Sequence, residues 1–404
     1  MHDPTTGYAG VDWATDTHAV CVVNERGEMI VEFDVTHTAD GLAEVCRRVE
    51  QAGARRVAIE RCDGPLVDAL IEFGLEVVVV SSRSVKALRE RYGTSGNKSD
   101  RCDAYVLADC LRTDGHRWRS LEPDSPATVT LRAHVRARKD LVETRVAVAN
   151  QLRAHLRIVF PGAVGLFRDI DSPISLRFLE RFPSATRSQW LSEKRLGAWL
   201  GANGYSGRKT PAELYGRLTV APAGHTSDEG DTRSAITVAF VTVLKTLRTQ
   251  IDELNTRLDE LLNAHPDAVI FRSLPRCATI RAATLLAEIG DCRARFPDAE
   301  SLACLAGVAP STRASGRHRA VTFRFSSDKK LRDALCDFAG DSWRGNVWAE
   351  TRYRQLRADG KSHPHTERIL ARSWAHIIWR CWQDHTPYDP TRHRAHQRLV
   401  TDAA

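Results

Sequence analysis

Residues 55–80 read RRVAIERCDGPLVDALIEFGLEVVVV, and this stretch decides the fold. RRVAIE is a short β-branched run. GPLVDALIEFG spaces its apolar residues as a helix does, and LEVVVV is a continuous apolar strand of the kind buried on both faces. Strand, helix and strand in succession make a parallel unit, because parallel neighbours need a crossover and a helix supplies it. Upstream, YAGVDW reads as a strand, and HAVCVVN and MIVEFDV as two more joined by the turn ERGE. ADGLAEVCRRVEQAG has helical periodicity. Downstream come a helix around SVKALRERY, the loop GTSGNKS and a second helix opened by KSDRCDAYVLAD, residues 98–109. The order β-β-β-α-β-α-β-α predicts an α/β domain with a mixed sheet and helices on both faces, and a sheet of this kind in which strand one pairs beside strand four brings their ends together.

At 404 residues the chain has room for two or three domains, and 42% hydrophobic with 27% charged residues is an ordinary globular balance. No apolar run is long enough to cross a bilayer, and MHDPTTGYAG lacks the basic-then-apolar pattern of a secretory signal. A soluble cytoplasmic protein without a membrane partner is expected. Ten cysteines with no CxxC pair point to free thiols in a reducing compartment, not to disulfides or a zinc knuckle. The net charge of +7 is uneven. Residues 1–150 hold 20 Lys+Arg against 24 Asp+Glu, a net −4; residues 151–310 hold 20 against 17, a net +3; residues 311–404 hold 18 against 10, a net +8. The first region can host a carboxylate cluster, and the last is the better polyanion-binding candidate.

Beyond the α/β region, residues 127–160 predict one long helix, with Val142, Val146, Ala149, Leu152, Leu156 and Val159 at steps of three and four. In residues 236–262, Phe240, Leu244, Leu247, Ile251, Leu254, Leu258 and Leu261 form a heptad seam. A helical hairpin packed on itself and an oligomerisation coiled coil both satisfy this pattern. Residues 161–235 are mixed. Within them GANGYSGRKT fails the spacing of a phosphate loop and reads as a polar surface loop. From Asp267 the chain is helical again, with STRASGRHR as a basic Ser/Gly loop and Arg- and Trp-rich helices after it. Those tryptophans are expected mostly in the core. His363 and His365, two apart around a proline, are poorly spaced for a metal.

Four acids carry the chemistry. Asp12 ends the first strand and Glu60 the fourth, so in such a sheet adjacent strands project both from the same sheet edge. Asp100 and Asp103 open the last helix three residues apart, on one face. Each alone has a bland explanation: a turn cap, an exposed strand end, or acids at a helix start after the N-cap Ser99. Together, with no Lys or Arg between them, they would repel one another unless divalent cations intervened. All-oxygen ligands suit Mg²⁺, with Mn²⁺ as the alternative. Two such ions about 4 Å apart would activate an attacking oxygen and stabilise a leaving one at a phosphodiester. Lys98, just upstream, reads as a phosphate contact at the edge of this site. Asp109, two turns on, reads as structural.

The pattern GVDWATDTHAV, AIE and KSDRCDAYVLAD is similar to that of the DEDD transposases of bacterial insertion sequences, whose first domain has a RuvC-like (ribonuclease H-like) fold. The second half agrees: ATLLAEIGD, FPDAESLACLAGVAPSTRASGRHR and KKLRDALCDFA resemble the family's C-terminal domain in order and spacing, and RYRQLRADGK is similar to a further segment. The resemblance covers most of the chain except about 161–235. It implies a RuvC-like DEDD domain over residues 1–120, a helical coiled-coil region over 121–265 with an insert at about 161–235, a mainly α-helical transposase domain over 266–390, and a basic tail over 391–404. It implies that Asp12, Glu60, Asp100 and Asp103 bind the metals, and that Ser315 attacks the DNA backbone and becomes joined to it. It also implies a homo-oligomer, dimer or tetramer, in which acids of one subunit and the serine of another complete a site. A structured guide RNA pairing with donor and target DNA is implied as well.

The residues alone give a plainer account of Ser315: a serine beside Arg313, Arg317, His318 and Arg319 holds a phosphate by hydrogen bonding. It is a weak nucleophile without activation, and no local base is obvious, although His318 is near in sequence. The chain departs from the family at Arg276 and Ala278, which stand where glycines are usual, and at Ser327-Asp328, where Gly-Asn is usual. An arginine resists the turns glycine allows, so the backbone at 276 is expected to differ. The leading reading is a DNA transposase or recombinase. The alternatives are a Holliday-junction-type nuclease, in which Ser315 has no catalytic role; a nucleic-acid-binding transposase remnant; and a sugar-kinase-like ATPase, which the single set of strands disfavours.

Overall fold

The computed structural model describes residues 7–89, 99–222, 224, 228–316 and 318–393. They divide into two compact units, 1–123 and 124–404. No described helix is long and apolar enough to cross a membrane.

The first unit runs β1 (Gly7–Trp13), β2 (Thr17–Val23), β3 (Met29–Thr36), α1 (Ala39–Gln51), β4 (Ala54–Ile59), α2 (Pro65–Glu72), β5 (Glu76–Val79), α3 (Ser82–Arg89) and α4 (Asp100–Asp114). This is the element order expected from the sequence. Its five strands make one sheet in the order β3-β2-β1-β4-β5. β1 is antiparallel to β2 and parallel to β4, with Val11 opposite Ile59. Strand one therefore lies beside strand four, and β5 adds parallel to the far side of β4 through the α2 crossover. Apolar residues on both faces of the central strands are fully buried: Val11, Val20, Val57, Ile59 and Val77 on one, Cys21, Ala58 and Val78 on the other. One face carries α1 and α2, through Val45, Val49, Leu66 and Leu70; the other carries α4, through Val106, Leu107 and Leu111. α4 rests on β1 at Gly10, where an added Cβ would stand 2.2 Å from the carbonyl oxygen of Ala104. Only a glycine lets the helix come this close.

The second unit opens on α5 (Pro126–Val159), followed by α6 (Pro173–Arg181), α7 (Ala185–Ser188), α8 (Glu193–Ala202) and α9 (Pro211–Val220), then α10 (Asp228–Ala264). α5 and α10 are antiparallel: Thr128 meets His265, Arg138 meets Asn255 and His155 meets Thr237. The heptad seam is thus used inside the chain, with Leu244, Ile251 and Leu258 buried, which favours the hairpin reading. Val146, expected in the seam of α5, is 48% exposed instead. The short helices α6–α9 account for the region that the sequence leaves opaque. They pack Phe178, Leu179, Leu196 and Leu214 against Leu152 and Leu156 of α5. GANGYSGRKT lies between α8 and α9, and its Thr210 caps α9 through a reciprocal hydrogen-bond pair with Glu213.

The chain ends in α11 (Ala268–Arg272), α12 (Thr279–Ile289), α13 (Ala299–Leu305), a two-stranded ribbon of β6 (Ser311–Ser315) and β7 (His318–Thr322), then α14 (Lys329–Ser342), α15 (Val347–Ala358) and α16 (His363–Gln383). Residues 121–265 and 266–390, expected as separate segments, share a core: Leu131 and Val135 of α5 and Leu258 and Leu262 of α10 pack with α12–α16. Trp374 and Trp382 are fully buried in that core, as expected.

Arg276 overturns the expectation drawn from its side chain. It takes the left-handed conformation a glycine would, with φ 54°. Such a backbone costs an ordinary residue about 1–2 kcal/mol. Its guanidinium pairs with Asp341 at 3.0 Å, and Arg281 donates to its carbonyl at 2.7 Å, so local contacts offset the strain.

Candidate functional site

Asp12 lies near the carboxyl end of β1, one residue past the Val11–Ile59 pair, and Glu60 immediately follows β4. Both acids thus sit at the carboxyl ends of neighbouring parallel strands, where open α/β sheets bind ligands. Asp103 comes from α4 beside Ala104, the residue that touches β1, and is 1% exposed. Asp100 is the first residue of α4 and is exposed. Ser99 is the N-cap, its hydroxyl accepting from the Cys102 N–H at 3.1 Å, as the sequence suggested.

The four acids share one end of the unit, but their side chains are not gathered. Among the described residues no group of three or more His, Cys, Asp or Glu side chains is placed to hold a metal ion. The expectation that no basic residue interferes also fails. Arg89, the last residue of α3, forms an ion pair with Asp103 through both carboxylate oxygens. A guanidinium is a natural counter-ion for a carboxylate this buried. Arg101, between the two helix acids in sequence, turns away to Asp34 at 2.6 Å and Glu32 at 3.3 Å, tying the start of α4 to β3. Glu60 and Asp100 form no ion pair among the described residues. The donor set, oxygen only and surplus in negative charge, fits a hard divalent cation; the side-chain arrangement is a closed one with Arg89 in the way.

Two residues missed in the sequence flank the acids. Trp13 follows Asp12 and Arg61 follows Glu60, and the Arg61 guanidinium lies 4.2 Å from the Trp13 ring centre. Asp63 holds Arg61 from the far side at 3.0 Å. This contact links the residues that follow the two acids across the neighbouring strand ends. Opposite Trp13 on β2, His18 is fully buried, 2.8 Å from the Nδ1 of His37. Burial, and then the neighbouring His37, push its pKa down, so it is a neutral structural ring. Asp109 pairs with Arg112 at 2.7 Å, in keeping with a structural role.

STRASGRHR is not the loop it was expected to be. It is the β6–β7 ribbon, with Ser311 opposite Thr322, Arg313 opposite Ala320, Ala314 opposite Arg319 and Ser315 opposite His318. Gly316 follows Ser315 with φ 54°, the geometry a tight hairpin turn demands. Residues alternate faces along a strand, so the register sorts the basic side chains. Arg313, Ser315 and His318 share one face; Arg319 is on the other, with Val321. Cross-strand partners have Cβ atoms about 5 Å apart, which brings the His318 ring within reach of the Ser315 hydroxyl. That proximity is invisible in a loop reading. Lys98, Arg317 and residues 394–404 of the basic tail lie outside the described residues. His363 pairs with Glu367 at 3.1 Å and with the Tyr353 hydroxyl at 2.8 Å, consistent with a structural use.

The chain also resembles known proteins. Residues 9–161 match a transposase family, the DEDD transposases of IS110 type, and residues 268–354 match the transposase IS116/IS110/IS902 family. The IS117 mini-circle protein of Streptomyces coelicolor, which carries the name of a transposase, is 31% identical over 96% of this chain and 97% of its own length. The uncharacterized 42 kDa protein of insertion element IS900 from Mycobacterium paratuberculosis is 28% identical over 95% and 97%. The uncharacterized 43.6 kDa protein of IS110 from Streptomyces coelicolor is 26% identical over 78% of each chain.

Proposed function

Since this chain belongs to the DEDD transposases of the IS116/IS110/IS902 insertion-sequence family, and is therefore a DNA transposase, we propose that it cuts and rejoins DNA by phosphoryl transfer to Ser315, assisted by a divalent cation. The observation that carries this reading is the pairing of Ser315 with His318 at the tip of an exposed ribbon, with Arg313 on the same face. In it, the Ser315 oxygen bonds to phosphorus as the phosphoester bond to one DNA end breaks; His318 takes the hydroxyl proton and returns it to the departing DNA oxygen, Arg313 holds the phosphate, and charge building on the phosphate oxygens is offset by the guanidinium. Asp12, Glu60, Asp100 and Asp103 are the residues that would hold Mg²⁺ or Mn²⁺, on a first domain read as RuvC-like; bound there, the cation supplies Lewis acidity to the phosphodiester. Acids and serine belong to separate compact units, and the reading has them act together in a homo-oligomer, dimer or tetramer, guided by a structured RNA. The test is a denaturing gel of the purified chain incubated with the element's end sequences and Mg²⁺. A protein–DNA adduct resistant to detergent supports the reading, and cleavage without any adduct favours the Holliday-junction-type nuclease.

Arg89 makes a separate expectation. Release of Asp103 from a charge-assisted pair worth about 1.5 kcal/mol should tighten divalent binding roughly tenfold. Calorimetric titration of Arg89→Gln with Mn²⁺, on protein whose circular dichroism and melting temperature match the wild type, measures this without any turnover and separates it from the loss of fold that an unpaired buried Asp103 could cause. Unchanged or weaker Mn²⁺ binding would remove Arg89 as an obstacle to the cation. A second expectation follows from the net +8 of residues 311–404. DNA affinity should fall at least about tenfold between roughly 50 and 200 mM salt, since each neutralised phosphate releases counter-ions. A binding isotherm indifferent to salt contradicts an electrostatic interface in this region.

A further inference from the structure

At the root of the ribbon lies a cavity of about 420 Å³. Pro310, Val321, Phe323 and Ile369 make its apolar surface, while Arg324, Arg368, Arg372 and His365 reach its rim. Among the described residues no carboxylate lines it. Three of the basic groups differ in their commitments. Arg324 donates to the carbonyls of Ala309 and Pro310, and Arg372 is paired with Glu300 at 3.0 Å. Arg368 forms no ion pair among the described residues; its guanidinium lies 4.9 Å from the Phe323 ring centre, and that of Arg332 lies 4.6 Å away. Phe325 stands edge-on to Phe323, ring centres 4.9 Å apart, and is 79% exposed. Phe325 is thus a large aromatic ring left in water next to the ring on which Arg368 lies, a surface awaiting a ligand, since burying such a ring is strongly favourable.

We propose that this cavity and the Phe325 ring just outside it, edge-on to the Phe323 that lines it, bind one unpaired nucleotide of the DNA, its base stacked on Phe325 and its phosphate on Arg368. The chemistry selects the ligand: a planar apolar face and an anion in the same small molecule unit describe a nucleotide, and stacking tolerates any base. This rests on the DNA-transposase reading and adds a subsite to it. Ser315 is four residues up the strand from Ser311 at the ribbon root, about 14 Å at strand rise. Stacked DNA advances about 3.4 Å per nucleotide, so the unpaired base falls within about four nucleotides of the phosphate that Ser315 attacks. That proximity is why the ligand is assigned as DNA.

The experiment uses the full chain and a single-stranded DNA oligonucleotide carrying 5-iododeoxyuridine, alone or annealed to its complement. Irradiation should join the single strand to the peptide containing Phe323 and Phe325. Phe325→Ala should lose that crosslink and bind the single strand about tenfold more weakly, while duplex affinity stays within about twofold. The side chain is exposed, so its removal leaves the fold intact. Arg368→Gln should weaken single-strand binding as well. Duplex binding with single-strand affinity indifferent to both substitutions overturns the cavity assignment alone, as does crosslinking confined to an RNA version of the oligonucleotide. Failure of the wild type to bind either DNA counts against the transposase reading and takes the cavity assignment with it.

Discussion

Ser315→Ala should abolish the covalent protein–DNA adduct and all strand exchange, while DNA affinity stays within about threefold. The rate expected is at least about 10³-fold below wild type, the scale seen when a nucleophile is removed from a site that otherwise keeps its binding groups. Two features make the substitution clean. Ser315 is exposed at the tip of a ribbon outside both cores, so removing one hydroxyl leaves no cavity and no buried polar orphan. Arg313 stays on the same face, so the phosphate contact survives. His318→Ala in parallel should slow adduct formation by about 10²-fold, the usual contribution of a general base, without weakening DNA binding. Undiminished strand exchange by Ser315→Ala would end the covalent mechanism. The serine would then be a phosphate contact, as the residues alone suggest.

Asp12→Asn should be as damaging by a different route. It removes one charge from the acid set while keeping size and strand geometry, and the expected loss is again about 10³-fold or more in cleavage, with DNA binding intact. Calorimetry with Mn²⁺ should show divalent binding lost or much weakened in the same variant. Asp12 is the better choice than Asp103. Asp103 is buried and paired with Arg89, so its removal leaves a guanidinium without its counter-ion and confounds chemistry with folding. Wild-type cleavage by Asp12→Asn, in a preparation that still needs Mg²⁺, would move the cation away from the strand ends.

The physical reasons for what can be read in this sequence differ by region. Residues 55–80 suffice to order the sheet, because a fully apolar strand and a crossover helix leave few alternative topologies. Ser99 is legible as a cap because its side chain and the acids after it obey local rules. The heptad of α10 is legible as a seam, but its partner is α5 of the same chain, a fact settled by contacts far apart in sequence. Residues 161–235 are opaque because their helices are short and their cores are supplied by α5. The clue that was present is a Ser or Thr at every start: Ser172, Ser184, Ser192 and Thr210 each cap a helix. The acid positions are legible from strand ends and helix start, whereas Arg89 on Asp103 is not, since nothing local couples residue 89 to 103. The ribbon escapes notice for the opposite reason to a core strand. It buries little, with Val321 62% exposed, so it has no apolar alternation to betray it.

That same bareness bears on how such an element diversifies. The ribbon spends no side chain on either core, so exchanges at Arg319 or Val321 should shift stability by no more than about 0.5 kcal/mol. The scaffold should therefore tolerate a wide range of ribbon sequences, so that contacts made there, with DNA on the proposed reading, can change without loss of the fold. Lineages can change what they touch without first having to find a new way to fold.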